Sequence, residues 1–527
     1  MATPAYTTDL FTLDPADSTT DWSEPGAPET GGGTPQNGTE FFIEGSACVS
    51  KACAGVGGIT GGVLYNEGAG VTITSGDAVY VWMFFAAPNT LLDRTAGGFA
   101  VCIGNSTTAY RKWYVLGKDN YAYGGWQCIA VDPTVAGSLD IGSPSGTWQY
   151  FGAVVKTSAT ISKGEPFGID AIRHGRTLQT VSGESGNYGL FSGAATANDH
   201  PTTGRWGIFQ AIPGGYQLQG RFLLGTSGTA VDFRDSNTSI LIANTLYVSA
   251  GFNVIEIRNA TSRVDWTSVS FLALGTVSRG NLVVTDNADV NVESCSFTDM
   301  GTFDFLSGST INSSTFRRCN LITQGGATFS GCTIDSTNDS AKAMIASNPA
   351  TISGCTFISS GTKHAIEITT PGTYAFVSNS FSGYATDNGS TGNEVIYNNS
   401  GGEVILNVSG TGTGTISYMN GSGATTTVSS SASLIINIVD ETGTAITVNS
   451  EVTVVKNSDT SILFEEDGIV DGSTTYSYSS GGGTVVYINV FNVAGYQPKT
   501  VNNYTLPSSG TTTLTIQLDT ERFYSNP

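Results

Sequence analysis

Residues 292–297 read VESCSF. The same six-position frame recurs as INSSTF (311–316), FSGCTI (329–334), ISGCTF (352–357) and FVSNSF (376–381), with WTSVSF (266–271) as a looser earlier copy. Each copy runs from an apolar residue through two small or polar ones to Cys, Ser or Asn, then any residue, then Phe or Ile. The frames start 19, 18, 23 and 24 residues apart from Val292 to Phe376. A period near 20 that offers one or two short strands per copy is the signature of a solenoid. Inward Ile, Val and Phe without a helical period predict a right-handed parallel β-helix over 216–420 rather than a leucine-rich horseshoe.

Rungs of such a coil stack about 4.8 Å apart, so equivalent positions lie on one another. Phe297, Phe316, Ile334, Phe357 and Phe381 are expected to form one internal column. Cys295, Ser314, Cys332, Cys355 and Asn379 are expected to form a second, small and polar, inside a tight corner. About 200 residues in coils of about 22 make roughly nine rungs and a shaft on the order of 40 Å. Cys332 and Cys355 fall on adjacent rungs, a spacing that permits a disulfide. As small hydrophobes they equally suit a column of reduced thiols, which is the expectation.

Composition agrees with a repetitive β protein. Only 12% of the 527 residues are charged, and 67 are glycine, against about 25% and about 7% in an average soluble protein. Forty-three acids and 22 bases leave a net charge of −21, which repels nucleic-acid phosphate. The residues that build long helices are scarce, and a 10% aromatic share removes the chain from the disordered class. The start, MATPAYTTDLFTLDPADSTTDW, has neither the basic nor the apolar region of an export signal. No run approaches the 18 or more apolar residues of a spanning helix, so no membrane insertion is expected. The eight cysteines are read as free thiols. Cys48 and Cys53 lack a second pair at ligand spacing, and His174, His200 and His364 are far apart, so neither metal nor cofactor is expected.

The flanks differ in texture. Residues 1–38, rich in Thr, Pro, Asp and Gly, read as an extended arm. Over 39–215, runs such as AVYVWMFFA (78–86), FAVCIG (99–104) and WQYFGAVV (148–155) alternate with turn residues, which predicts a jelly-roll or concanavalin-like β-sandwich. Residues 421–432 (GSGATTTVSSSA) read as a linker. The alternating strands of 433–527 predict a small Ig-like β-sandwich, with the aromatics of ERFYSNP (521–527) as a plug for a neighbouring surface.

The coil carries the acids Asp265, Asp286, Asp289, Glu293, Asp299, Asp304, Asp335, Asp339 and Glu367. A glycosidase needs two carboxylates roughly 5–5.5 Å or 6.5–9.5 Å apart. Asp286 with Asp289, or Asp299 with Asp304, are the candidate catalytic pairs. A calcium-dependent lyase needs an acidic cluster beside a base; Arg317 and Arg318 are nearest, yet no three acids recur at rung spacing next to them. Acids on turns are ordinarily solvated, so no catalytic role is assigned. The GGGT stretches lack a following GKS or GKT and are turns rather than phosphate loops.

Four stretches of the first domain, VYVWMFFAAPN (79–89), TAYRKWYV (108–115), GGWQCIAVDP (124–133) and FGIDAIRHG (167–175), resemble a module of tailed-bacteriophage virion proteins. In those proteins a jelly-roll-like head precedes a β-helical shaft, and SILIANTLYVSAGFNVIEIRN (239–259) leads into the shaft here in the same way. The elements VDETGTAI, AGYQP and ERFYSNP are similar to Ig-like modules at the ends of phage structural proteins. The resemblance covers the chain in pieces and carries no catalytic motif. It implies a homotrimeric fibre or spike on the virion surface, assembled in the host cytoplasm, for attachment or host adhesion. Its partners would be its own copies, other virion proteins at the N-terminal arm or C-terminal tip, and a host-surface glycan. A capsid decoration or head fibre, and a tailspike depolymerase cleaving host polysaccharide, are the alternatives. A cell-surface adhesin fits less well, for want of an export signal.

Overall fold

The repeat folds through its third residue. In the computed structural model that residue has a left-handed backbone in every copy: φ is +56° at Ser268, +55° at Ser294, +49° at Ser313, +63° at Gly331, +62° at Gly354 and +56° at Ser378. Such a conformation costs an L-residue about 1–2 kcal/mol, and in these six copies the small residues Ser and Gly occupy it. It turns the chain between strands: Asp289–Glu293 ends before Ser294, and Ser296–Thr298 begins after Cys295. A copy that the sequence disguises precedes them, RDSNTSI (234–240), with Asn237 at φ +56°. Register sets Asp235 beside Trp266 and Ile240 beside Phe271; a carboxylate at the apolar position hides the frame.

The structure describes residues 6–8, 10–27, 31, 33–52, 60–85, 92–93, 98–115, 125–157, 166–175, 177–180, 209–212, 215–228, 230–243, 247–275, 279–389, 391–410, 412, 414–430, 432–478, 483–507 and 510–520. The fold is all-β, and no α-helix occurs among the described residues. The chain divides into two units, 1–327 with 336–339, and 328–335 with 340–527.

In the first unit each coil supplies one strand to each of three parallel sheets. Asn281–Val284, Asp289–Glu293 and Ser296–Thr298 pair in parallel with Phe303–Asp304, Ser309–Asn312 and Thr315–Arg317 of the next coil. In the second unit Thr333–Asp335, Thr356–Ile358 and Ser380–Ser382 continue this pattern. So do Lys342–Ala346, His364–Ile368, Ile396–Asn398 and Tyr418–Asn420. Parallel sheets that recur coil after coil are compatible with a β-helix.

Stacking equivalent residues builds the interior. Phe271, Phe297 and Phe316 lie in register, with ring centroids 4.9 and 4.8 Å apart and planes within 14° and 17°. In the second unit Ile334, Phe357 and Phe381 share a register, and the last two rings stack at 5.4 Å. The second column serves the backbone at the corner, where the left-handed residue interrupts the ladder. Ser314 Oγ accepts the Cys295 N–H at 3.0 Å and donates to Asn312 O at 2.8 Å. Asn379 Oδ1 accepts the Cys355 N–H at 3.0 Å, while its Nδ2 donates to Ile352 O at 2.8 Å. A small polar side chain thus satisfies a buried amide that the corner would otherwise leave unpaired.

Ahead of the coils, two six-stranded sheets among the described residues are built almost wholly from antiparallel pairs. They share one core, in which Val79, Val81 and Met83 meet Val101, Ile103, Trp113 and Phe151. The stretch read as an extended arm takes part in them. Phe11–Asp14 pairs with Pro166–Gly175, Trp22–Ser23 with Thr60–Val71, and Gln36–Gly38 with Cys48–Ala52. Trp22, only 8% exposed, anchors it by burial and by donating Nε1–H to Asp14 at 3.2 Å. The stretch read as a linker is corrected likewise: Thr425–Ser430 pairs in parallel with Glu403–Ser409. Its β-branched threonines suit a strand, a preference that Ser/Thr/Gly composition masks. Beyond it, sheets of three and four strands enclose a core of Leu434, Ile436, Ile438, Val452, Val454, Val486 and Ile488. The proposed plug, 521–527, lies outside the described residues.

Phe297→Ala removes a ring that packs against rings on both neighbouring coils. Denaturant unfolding should show a loss of about 3–5 kcal/mol, and Phe297→Leu, nearer in volume, about 1 kcal/mol. Equal, negligible losses would mean that the column does not carry the coil.

Candidate functional site

The four candidate carboxylates are engaged separately. Asp286 Oδ2 accepts, at 2.7 Å, the N–H of Asn259 on the preceding coil, where Asn259 forms a left-handed corner with φ +76°. Asp289 is exposed at a strand start, where its Oδ1 accepts from Asn291 Nδ2 at 3.0 Å. Asp299 sits at a second left-handed corner, φ +56°, and holds the Arg318 guanidinium in a two-point pair at 2.9 and 2.7 Å. Asp304, half-buried, lies in register between Val283 and Thr323. Neither candidate pair is joined by a common partner among these contacts.

Asp289 instead belongs to a checkerboard on the outward face of three strands. Register stacks Asp232, Arg263 and Asp289 in one row and Arg234, Asp265 and Asn291 in the next. Arg234 grips Asp232 with two contacts of 2.7 Å, Arg263 Nε reaches Asp265 at 2.9 Å, and Asn291 Nδ2 donates to Asp265 at 2.9 Å. Each acid on this face has a cationic or amide neighbour one rung away. The arrangement neutralises charge locally: Asp265 and Asp289 converge on the same two partners, Arg263 Nε and Asn291 Nδ2, which engage both carboxylates.

The denser polar cluster lies in the second unit, on residues that sequence reasoning did not assign. All five residues of His364–Ile368 are buried, although two are ionisable. Lys342 Nζ pairs with Glu367, and Asn399 Nδ2 donates to the same carboxylate at 2.9 Å. His364 Nδ1 donates to Glu394 O at 3.0 Å and stands 3.7 Å from Glu394 Oε2. Because a carbonyl can only accept, Nδ1 carries hydrogen, and Nε2 is the acceptor in the neutral ring. The His364 ring stacks on Tyr397 at 5.1 Å. Glu394 reaches the cluster from the excursion between Ser380–Ser382 and Ile396–Asn398, where its Oε1 caps the Thr391 N–H at 2.9 Å. Chemically the cluster holds groups able to exchange protons, but Glu367 is held by two donors and acts here as an ion-pair anchor. Its sequence signal is the break in alternation of KHAIEI, intelligible only once AKAMIA is set in register beside it.

A buried acid stands out in the first unit. Asp170 lies where strand pairing shifts register, next to Ala171 at φ +45°. Its Oδ2 accepts the Ile43 and Glu44 N–H groups at 2.6 and 3.2 Å. Burial, reinforced by the Glu44 charge and opposed by those hydrogen bonds, pushes its pKa up to about 7. Burial also raises Glu44, against the lowering pull of its partner Arg173. The site ties a loop to a strand. Where the column of large side chains gives way to Gly410, Gly412 and Gly414, a cavity of about 200 Å³ lies against Phe376, Val408 and Val428. The amide of Asn379 on its wall is already engaged in the corner column.

Among the described residues no group of three or more His, Cys, Asp or Glu is placed to hold a metal ion, and no helix is long and apolar enough to cross a membrane. No protein-family model and no curated protein matches the chain. The functional reading therefore rests on this geometry.

Asp170 gives a pH dependence of defined sign. Its carboxyl keeps its proton in the folded protein up to about 7, against an ordinary value of 3.8. Between these values the native state binds more protons than the unfolded chain, so this group's contribution to stability falls as pH rises and levels off above about 7. Asp170→Asn keeps the accepting oxygen and has no proton to lose. Thermal unfolding at pH 5 and pH 8 should show the variant gaining on the wild type at the higher pH, by at most about 3 kcal/mol, because only about two pH units of the shift lie above pH 5.

Proposed function

We propose that this chain is a structural appendage of a tailed-bacteriophage virion, a homotrimeric fibre or spike for attachment or host adhesion. In this reading the two antiparallel sheets form a jelly-roll or concanavalin-like head, the stacked coils a right-handed β-helical shaft, and the last strands an Ig-like module. One observation carries it: the polar side chains on the outer faces of the coils engage one another, as in the Asp232, Arg263, Asp265 and Asp289 checkerboard. A face of this kind suits a load-bearing stack, and side-by-side packing of three copies would cover it. The acidic surface favours solubility before assembly. A capsid decoration or head fibre is the same chemistry at another station on the particle.

A tailspike depolymerase is favoured by one feature, the cluster of Lys342, His364, Glu367 and Tyr397 on a single sheet, joined by Glu394 from the preceding excursion. Two measurements separate the readings. Light scattering should give three times the chain mass of 54.7 kDa, and mass spectrometry should find the protein in purified particles. A monomer absent from particles would overturn the appendage. Release of reducing ends from host-surface polysaccharide, abolished by Glu367→Gln with Glu394→Gln, would move the assignment to the depolymerase.

A further inference from the structure

Within the corner column the neighbours of each cysteine differ. Cys295 has Ser314 one rung on, and Cys355 has Asn379. Cys332 and Cys355 have each other. Their coils pair in register, Thr333 on Thr356 and Ile334 on Phe357, and the Thr356 N–H donates to Cys332 O at 2.8 Å. Both residues are buried, 1% and 0% exposed. Each Sγ also faces a carbonyl of its own corner, Ser330 O at 3.6 Å and Ser353 O at 3.4 Å. Strands of a parallel sheet lie about 4.8 Å apart, inside the Cα range that a disulfide accepts.

The thiols are reduced in the structure. We propose that Cys332 and Cys355 form a staple between neighbouring coils that a hydroperoxide closes. The Cys355 thiolate attacks the peroxide O–O bond, forming an S–O bond and releasing hydroxide. The Cys332 thiolate then attacks the sulfenic sulfur; the S–O bond breaks, the S–S bond forms, and the oxygen leaves as water once protonated. Two thiols lose two electrons and two protons, and hydrogen peroxide becomes two waters. Peroxide is small enough to arrive through a local opening of the coil.

The electrostatics agree with the geometry. A hydrogen bond with Cys332 draws the Cys355 thiol below its ordinary value, against the opposing effect of burial. Burial instead pushes Cys295 up to about 11 and both Cys48 and Cys319 up to about 12. The thiolate is the reactive form, so Cys355 is set apart from Cys48, Cys295 and Cys319.

The test treats the full-length protein with hydrogen peroxide, blocks residual thiols after denaturation, and maps peptides by mass spectrometry. Two of the eight cysteine thiols should disappear, a Cys332–Cys355 peptide should appear, dithiothreitol should reverse it, and the oxidised form should unfold at a higher temperature. Cys295→Ser should leave the link intact, and Cys355→Ser should abolish it. Cys332→Ser should stop at a sulfenic acid on Cys355, trapped by dimedone. Serine already occupies this column at Ser314, so all three column variants are suited to fold, with circular dichroism as the check. Should any fail to fold, wild-type mapping decides by itself. Retention of all eight thiols, a link through another cysteine, or sulfonic acid at Cys355 without a link would overturn the staple.

Discussion

A parallel coil places like upon like. The hydrogen bonds that join one rung to the next fix the register, so every side chain meets its counterpart in the neighbouring copy. An aromatic residue at one rung favours an aromatic at the next, because offset rings add attraction to the burial of area; Phe271, Phe297 and Phe316 are such a set. A left-handed corner at one rung demands a left-handed corner above it, so Ser and Gly recur at the third position of the frame. Those two constraints are the repeat, seen from inside.

The same rule governs charge. Two like charges in register would face each other across one rung, and the outer face avoids this by alternation: Arg263 stands between Asp232 and Asp289, and Asp265 between Arg234 and Asn291. A chain that is 12% charged has few such conflicts to resolve, and hydroxyl side chains stack without any. Ser270 and Ser296, for example, hydrogen-bond across the rung at 2.9 Å. The scarcity of charge and the abundance of Ser and Thr are two consequences of one geometry.

What the sequence reveals follows from whether a residue's role is local or depends on register. The all-β class and the repeated parallel coils are legible because the frame packs corner, column and core residue into six positions, as in VESCSF. The copy at Asp235 is not, since a buried carboxylate that accepts from Thr238 Oγ1 and from the Ser236 N–H takes the place of a hydrophobe. Pairings made at long range also escape: Trp22 reads as part of a Pro/Gly-rich arm until its partner strand at Tyr65 is known. Thr425–Ser430 reads as a linker until Glu403–Ser409 lies alongside. The cluster at His364 is the extreme case. Its members come from four separate stretches, and only the coil register brings Lys342, Glu367 and Asn399 to one point.

The corner column joins these arguments. Its backbone task, accepting an amide that the turn leaves without a ladder partner, can be met by Ser314 or Asn379 through oxygen. Cysteine cannot do it as well, because sulfur is a weak acceptor. At Cys295 and Cys355 the N–H is served by the next rung's oxygen, while the thiol turns to carbonyls of the corner. A cysteine is therefore tolerated where its successor in the column is polar, and Cys332, followed by another cysteine, departs from that arrangement. The departure creates a thiol pair in a stack whose described coils are joined by hydrogen bonds, ion pairs and packing. A covalent link there would oppose separation of neighbouring rungs, the motion to which a stack of this kind is most vulnerable under load.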